Sequence, residues 1–130
     1  VFSGFKKACH NLYKFDSKSE KDFAAILEKD IDVLKWLRPA DSQFELYWKY
    51  NSKRYHPDFV VETADTIFMV EIKAEKDIDD TEVQEKAEAG KKYCEVVSTF
   101  NLANGGKRWA YVLIPHTAVA PNMSLKGLCK

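Results

Sequence analysis

The side chains best suited to catalysis in this sequence are two carboxylates and one ammonium, those of Asp58, Glu71 and Lys73. Asp58 ends the motif Tyr-His-Pro-Asp, and the other two residues flank Ile72 in the motif Glu-Ile-Lys. Two carboxylates that face each other repel unless a cation bridges them, and Mg²⁺ is a hard cation that prefers oxygen ligands. A nearby lysine can orient or help to deprotonate a water molecule and can stabilise charge on phosphorus. The three residues therefore indicate metal-assisted hydrolysis of a phosphodiester.

A β-hairpin between the two motifs would bring the carboxylates together. Residues 58–63 and 66–73 both have the composition of strands, and residues 64–65 form the predicted turn between them. In the register that this turn sets, Asp58 faces Glu71. Directly opposed residues of an antiparallel pair have β-carbons about 5 Å apart. The sequence thus predicts a close pair of acids.

The second strand of this hairpin is apolar on both faces except at Glu71. Such a strand belongs in the middle of a covered sheet, where a carboxylate needs partners. Because side chains alternate along a strand, Lys73 lies on the same face as Glu71, whereas Ile72 points into the opposite layer. The competing interpretation is a surface hairpin with a Glu71–Lys73 ion pair, since Asp followed by Glu-x-Lys is common in charged proteins.

A first helix is predicted before the hairpin. Ser17, followed three residues later by Glu20, forms a capping-box pattern. Apolar residues then recur at helical spacing, and the helix or its tail is expected to end before Pro39. The recurring residues are Ala24, Leu27, Ile31 and Leu34. Glu20 lies seven residues before the second of them, which places its carboxylate at the end of the buried stripe.

The remaining elements predict a mixed sheet flanked by helices. Residues 43–50 alternate and are rich in aromatics, which indicates a strand that turns at residues 51–52 into the strand carrying Asp58. A second helix begins after Asp79-Asp80, and residues 108–114 form another buried strand. Strand, helix and strand in this order indicate a parallel crossover. The predicted buried side of the second helix comprises Val83, Ala87, Gly90, Tyr93, Cys94 and Val97.

Length and composition predict one compact domain. The chain has 130 residues, of which 45% are hydrophobic and 13% aromatic, enough for a single core. It has neither a signal-peptide pattern nor an apolar run of about 18 residues, so a cytoplasmic location without membrane contact is expected. The odd set of Cys9, Cys94 and Cys129 lacks metal-ligand spacing, which suits a reducing compartment. Lys+Arg and Asp+Glu number 20 each, so the domain is not expected to hold DNA alone.

These motifs resemble the PD-(D/E)xK nuclease superfamily, and more narrowly the C-terminal endonuclease domain of the restriction subunit of type III restriction-modification enzymes. The resemblance implies an α/β fold of the restriction-endonuclease-like kind, a three-layer α/β/α core with a mixed central β-sheet flanked by helices. Residues 1–130 would form a single endonuclease domain, a C-terminal fragment of a longer helicase-nuclease polypeptide. The matching segments are residues 17–20, 23–24, 33–36, 55–59, 70–73 and 109–111.

The same resemblance implies Mg²⁺-dependent cutting of double-stranded DNA, with Mn²⁺ as an alternative metal. The enzymes that the chain resembles combine their nuclease with a helicase-like motor in the same polypeptide and with a modification methyltransferase subunit. ATP would act only through that motor, no part of which is recognisable in these 130 residues.

Residue by residue, the resemblance implies metal binding by Asp58, Glu71 and the backbone carbonyl of Ile72, with Lys73 as the catalytic lysine. Glu20 matches the superfamily's acidic residue on the first helix, where it could reach a metal-bound water, and helix capping is its competing role. Three further polar residues are candidates for DNA contact or for support of the site, with solvated or packed side chains as the alternative: His56, Gln84 and Lys86.

Two other functions stay open from the sequence. One is a DNA-binding or scaffolding module that keeps the fold without catalysis, although Asp58, Glu71 and Lys73 are all present. The other is a nuclease of DNA repair or of mobile-element processing. An adjacent methyltransferase gene would favour restriction over these pathways.

Overall fold

The computed structural model describes residues 6–7, 17–39, 46–48, 53–55, 57–120 and 123–128. These residues form helices α1 (Lys18–Lys29), α2 (Thr81–Ala103) and α3 (Leu125–Leu128). The strands are β1 (Val33–Leu37), β2 (Leu46–Trp48), β3 (Lys53–Tyr55), β4 (Phe59–Thr63), β5 (Thr66–Lys73) and β6 (Arg108–Pro115). Short 3₁₀ turns at Glu75–Asp77 and His116–Ala118 follow β5 and β6.

Four strands form one mixed sheet in the order β1-β4-β5-β6. β4 pairs antiparallel with both β1 and β5, whereas β5 and β6 are parallel. The parallel pair is joined through α2, as the succession of strand, helix and strand predicted. This arrangement confirms the predicted α/β class and is consistent with a restriction-endonuclease-like fold.

The β4–β5 hairpin has the predicted register. Phe59 pairs with Val70, and the pairing continues to the turn at residues 64–65. One step further in the same register places Asp58 opposite Glu71. A short turn fixes this register, because a slip of one residue would turn every apolar side chain to the wrong face.

The helices α1 and α2 cover opposite faces of the sheet. Val70 and Ile72 of β5 belong to an apolar cluster with Phe23 of α1, whereas Met69 packs with Cys94 of α2. Alternation along β5 therefore separates the two cores and produces three layers. Other fully or nearly buried members of the α1-side core are Ala24, Leu27, Val33, Trp36, Phe59, Val61, Ile114 and Leu125.

Helix α1 begins as predicted but ends earlier. The Ser17 hydroxyl accepts a hydrogen bond from the Glu20 backbone N–H at 3.2 Å, and Asp30 is the C-cap. Ile31 is 91% exposed, and Leu34 is half exposed within β1. The prediction that these two residues continue the buried helical stripe was therefore wrong.

The physical reason is the pairing of β1 with β4. Val33 and Trp36 enter the core from this edge strand, and the Trp36 indole N–H donates to Glu28 Oε2 at 2.7 Å. The strand has a bulge between Val33 and Lys35, which breaks simple alternation. Local apolar spacing could not show a strand that forms through a long-range contact.

The aromatic segment before the hairpin forms a separate small sheet. β2 pairs antiparallel with β3, so Leu46 is opposite Tyr55. The predicted strand and reversal are confirmed for these residues, although the turn at residues 51–52 lies outside the described part of the chain. Pairing of this strand with the one carrying Asp58 was wrong, because β1 occupies that edge of β4.

Helix α2 confirms the second predicted helix. It follows the N-cap Asp80 and buries Ala87, Gly90 and Cys94 against the sheet.

Cys94 is a free buried thiol whose pKa is raised by burial to about 11, whereas Cys9 and Cys129 lie outside the described residues. Among the helices that the structure describes, none combines the length and apolar character needed to cross a membrane.

Candidate active site

The hairpin brings Asp58 to the end of β5. Asp58 Oδ2 accepts a hydrogen bond from the Ile72 backbone N–H at 2.8 Å. This contact fixes the Asp58 carboxylate between the start of β4 and the residue after Glu71. The predicted proximity of the two acids is therefore present, and each raises the electrostatic cost of ionising the other.

Glu71 is the most strongly perturbed acid of this group. Its side chain is buried, and its Oε2 has no hydrogen-bond partner among the described residues. Burial, followed by the charge of Asp58, raises the pKa of Glu71 to about 8, with the charges of Lys73 and Lys86 opposing the rise. Burial also raises the pKa of Asp58, against the hydrogen bond from Ile72.

Lys73 supplies the positive charge predicted beside the pair. Its Nζ lies 3.4 Å from Glu71 Oε1, and a third of its side chain is exposed. A partly exposed ammonium beside these two acids can contact both the acids and a ligand arriving from solvent. Two carboxylates and one ammonium therefore converge as the sequence predicted.

Glu20 joins this group from α1. It is a buried acid, 8% exposed, and its negative charge contributes to the raised pKa of Asp58. Its Oε1 accepts a hydrogen bond from Arg38 Nη1 at 2.6 Å. The guanidinium of Arg38 also lowers the pKa of Asp58. Sequence spacing gave no signal for Arg38, because it reaches the acids only through the pairing of β1 with β4.

A cleft of about 600 Å³ opens beside these residues. Glu20, Ile72 and Lys73 line it together with His116, which had no recognisable pattern in the sequence. The feature of the sequence that could have identified His116 as a site residue is its position directly after the strand β6. Lys73 pairs in register with Pro115, so the carboxyl ends of parallel β5 and β6 meet at one edge of the sheet.

The other predicted polar residues are distributed differently. Lys86 lies close enough for its charge to act on Glu71. Gln84 is exposed, and its amide nitrogen donates a hydrogen bond to the Ile78 carbonyl oxygen at 2.5 Å. His56 lies outside the described residues.

The arrangement fits a hydrated Mg²⁺ ion. Within the described part of the chain, no three His, Cys, Asp or Glu side chains form a metal-binding group. Mg²⁺ does not need three, because it is usually bound through one or two carboxylates and keeps several waters. Asp58 and Glu71 supply such a pair, and the buried Glu71 Oε2 needs a cationic or donor partner. The Ile72 carbonyl as a further ligand stays a prediction.

Comparison with protein families identifies the fold group of this chain. The family model described as TnsA-like endonuclease N terminal matches residues 18–97, well over half of the 130 residues. This range includes Glu20, Asp58, Glu71 and Lys73. Comparison with curated proteins and with solved structures finds no match. The chain belongs to the TnsA-like endonuclease N-terminal family, within the restriction-endonuclease-like PD-(D/E)xK superfamily.

Proposed function

We propose that this member of the TnsA-like endonuclease N-terminal family is the cutting domain of a DNA endonuclease that uses Mg²⁺. The observation that carries the proposal is the buried Glu71 next to the partly buried Asp58, with Lys73 beside them. Withdrawing two adjacent acids from water, even in part, destabilises a protein, so their position argues for a role in binding a cation. The superfamily membership supplies the reaction class.

In this proposal Asp58 and Glu71 hold the metal, with the Ile72 carbonyl as a third ligand and Mn²⁺ as an alternative ion. When bound, the metal lowers the pKa of water and polarises a phosphoryl oxygen. Lys73 lies at the cleft, where its ammonium can orient the attacking water and stabilise negative charge on the phosphate. Glu20, which also lines the cleft, can accept a hydrogen bond from a water there.

The substrate in this proposal is double-stranded DNA, and the setting has two candidates. One is a type III restriction enzyme, with a helicase-like motor in the same polypeptide, ATP bound only by that motor, and a methyltransferase partner. The other is a mobile-element nuclease, with which the TnsA-like family match is also compatible. Neighbouring genes separate them, because a methyltransferase gene would support the first and genes for element movement the second.

A catalytically inactive DNA-binding or scaffolding module is the alternative from another functional class. Such a module would have no need for two adjacent acids withdrawn from solvent, and it would bind no divalent cation at Asp58. Mn²⁺ titration of the wild-type chain and of Asp58→Asn therefore distinguishes it from a nuclease.

The proposal is tested with Asp58→Asn and Lys73→Met in the full-length protein with its natural partners. We expect each substitution to reduce DNA cutting by about a hundredfold or more, because each removes a group that acts on the reacting atoms. Chelation of divalent metal should abolish cutting, and Mg²⁺ or Mn²⁺ should restore it.

Matched controls are Asp32→Asn and Lys126→Met, which change the same residue types at exposed positions outside the cleft. Both controls should cut DNA at the wild-type rate. Cutting that persists in Asp58→Asn and Lys73→Met, with both variants folded by circular dichroism, would refute the proposed active site.

A further inference from the structure

Arg38 contacts the acidic group from a position that no motif marks. It directly follows β1, its side chain is 16% exposed, and its Nη1 lies 2.6 Å from Glu20 Oε1. Its Cζ atom lies 5.4 Å from the centre of the Phe59 ring. Phe59 is fully buried and adjacent to Asp58, so the core itself holds the guanidinium beside two acids.

The physical consequence is that Glu20 is fixed in place. A glutamate side chain has three rotatable bonds, and a buried one beside Asp58 would turn away from like charge if nothing held it. Arginine suits this task, because its planar fork binds a carboxylate in a defined orientation and stacks on an aromatic ring. The pair joins α1 to the edge of the sheet at the cleft.

We propose that Arg38 is a positioning residue of the nuclease site, which acts on the metal through Glu20. The proposal rests on the function proposed above. Arg38 holds the Glu20 carboxylate towards the Asp58 side of the cleft and offsets its charge, so that Glu20 can accept a hydrogen bond from water around the cation. Removal of a residue that orients a metal's surroundings in this way typically lowers metal affinity or activity by about 10- to 100-fold.

The test is a double-mutant cycle read by metal binding in the absence of DNA. Mn²⁺ is titrated into the wild-type chain, Glu20→Gln, Arg38→Met and the double variant by calorimetry. We expect each single substitution to weaken Mn²⁺ binding about tenfold. The double variant should bind no more weakly than Glu20→Gln alone, because the positioning role proposed for Arg38 passes through that carboxylate. Arg38→Lys should recover part of the affinity.

Arg108→Met is the matched control. Arg108 is an exposed arginine at the start of β6, where it pairs with Thr66, so it lies at the end of the sheet opposite Lys73. It should bind Mn²⁺ like the wild type. If Arg38→Met unfolds by circular dichroism, Arg38→Gln takes its place in the cycle.

Two results would overturn the role of Arg38. One is unchanged or tighter Mn²⁺ binding in Arg38→Met, as expected if the arginine only repels the cation. The other is a double variant in which Mn²⁺ affinity falls by the product of the two factors measured for the single variants, as expected of independent packing effects. Failure of the nuclease proposal looks different, because the wild type would then bind no Mn²⁺ or Asp58→Asn would bind it equally well.

Discussion

At the scale of single residues, Glu71 explains most of the behaviour of the site. Its carboxyl group is buried beside a second acid, and the Lys73 ammonium lies 3.4 Å from its Oε1. The Glu71 Oε2 atom is shielded from solvent and accepts no hydrogen bond from the described residues, so nothing there offsets the loss of its hydration. The free energy of folding therefore contains a penalty that a divalent cation would remove.

This penalty predicts an unusual dependence of stability on pH in the metal-free chain. A folded-state pKa of about 8, against an ordinary value of 4.5, means that the native state binds more protons than the unfolded chain between these pH values. Stability should therefore fall as pH rises through this interval. Glu71→Gln removes the titration, and above pH 8 it should stabilise the metal-free chain by about 1–3 kcal/mol. Urea unfolding in the presence of a chelator measures the difference.

Glu95→Gln is the matched control, because Glu95 is an exposed acid on α2. Its stability should follow the wild-type curve at every pH. Added Mg²⁺ should stabilise the wild type and leave Glu71→Gln nearly unchanged. A wild-type stability that rises from pH 4.5 to 8 in the chelator would contradict the assignment of the raised pKa to Glu71.

At the scale of secondary structure, the β4–β5 hairpin could be predicted because all of its determinants are local. A two-residue turn and the apolar pattern of the second strand fix the register, so the opposition of Asp58 and Glu71 followed from counting. The second helix and the parallel crossover to β6 were predictable for the same reason. Their boundaries carry their own turn and capping residues.

Elements that depend on distant partners could not be predicted in this way. Ile31 and Leu34 continue the spacing of α1, yet the chain leaves the helix at Asp30 because β1 pairs with β4. Arg38 was missed as a consequence, since its contact with Glu20 exists only when β1 is an edge strand. The pairing of Asp58 with Glu71 was thus visible in the sequence, whereas the contact of Arg38 with Glu20 was not.

The packing of α2 on β6 predicts a specific weak point at Gly90. A β-carbon at this position would lie within 3 Å of the Tyr111 ring, so alanine requires the ring or the helix to move. Alanine favours the helix by about 1 kcal/mol relative to glycine, whereas overpacking of a core costs about 1–3 kcal/mol. We expect the steric term to prevail and Gly90→Ala to lower the free energy of unfolding. Urea denaturation measures this change.

Glu95→Ala serves as the control for this substitution, because it introduces alanine at an exposed position of the same helix. It should leave stability unchanged or slightly raised. A Gly90→Ala chain more stable than the wild type would show that the Tyr111 ring yields without cost.

At the scale of the whole molecule, charge balance limits what the domain does by itself. Lys+Arg and Asp+Glu number 20 each, so the chain has no net positive charge with which to attract DNA. The proposed site adds local repulsion, because Glu20, Asp58 and Glu71 share one end of the sheet. The phosphate backbone can approach this end closely only when the acids are neutralised.

Repulsion between these acids and the phosphates predicts that DNA binding by the chain depends on divalent metal. Above pH 8, where Glu71 is ionised, duplex binding in a chelator should be weak, and Ca²⁺, which also prefers oxygen ligands, should strengthen it about tenfold. The double variant Asp58→Asn/Glu71→Gln should bind more tightly than the wild type in the chelator and lose its response to Ca²⁺. The exposed pair Asp32→Asn/Glu95→Gln changes net charge equally and should keep that response. Fluorescence anisotropy of a labelled duplex measures binding by all three chains with and without Ca²⁺. An equal Ca²⁺ response in both double variants would mean that the cation acts elsewhere than at Asp58 and Glu71.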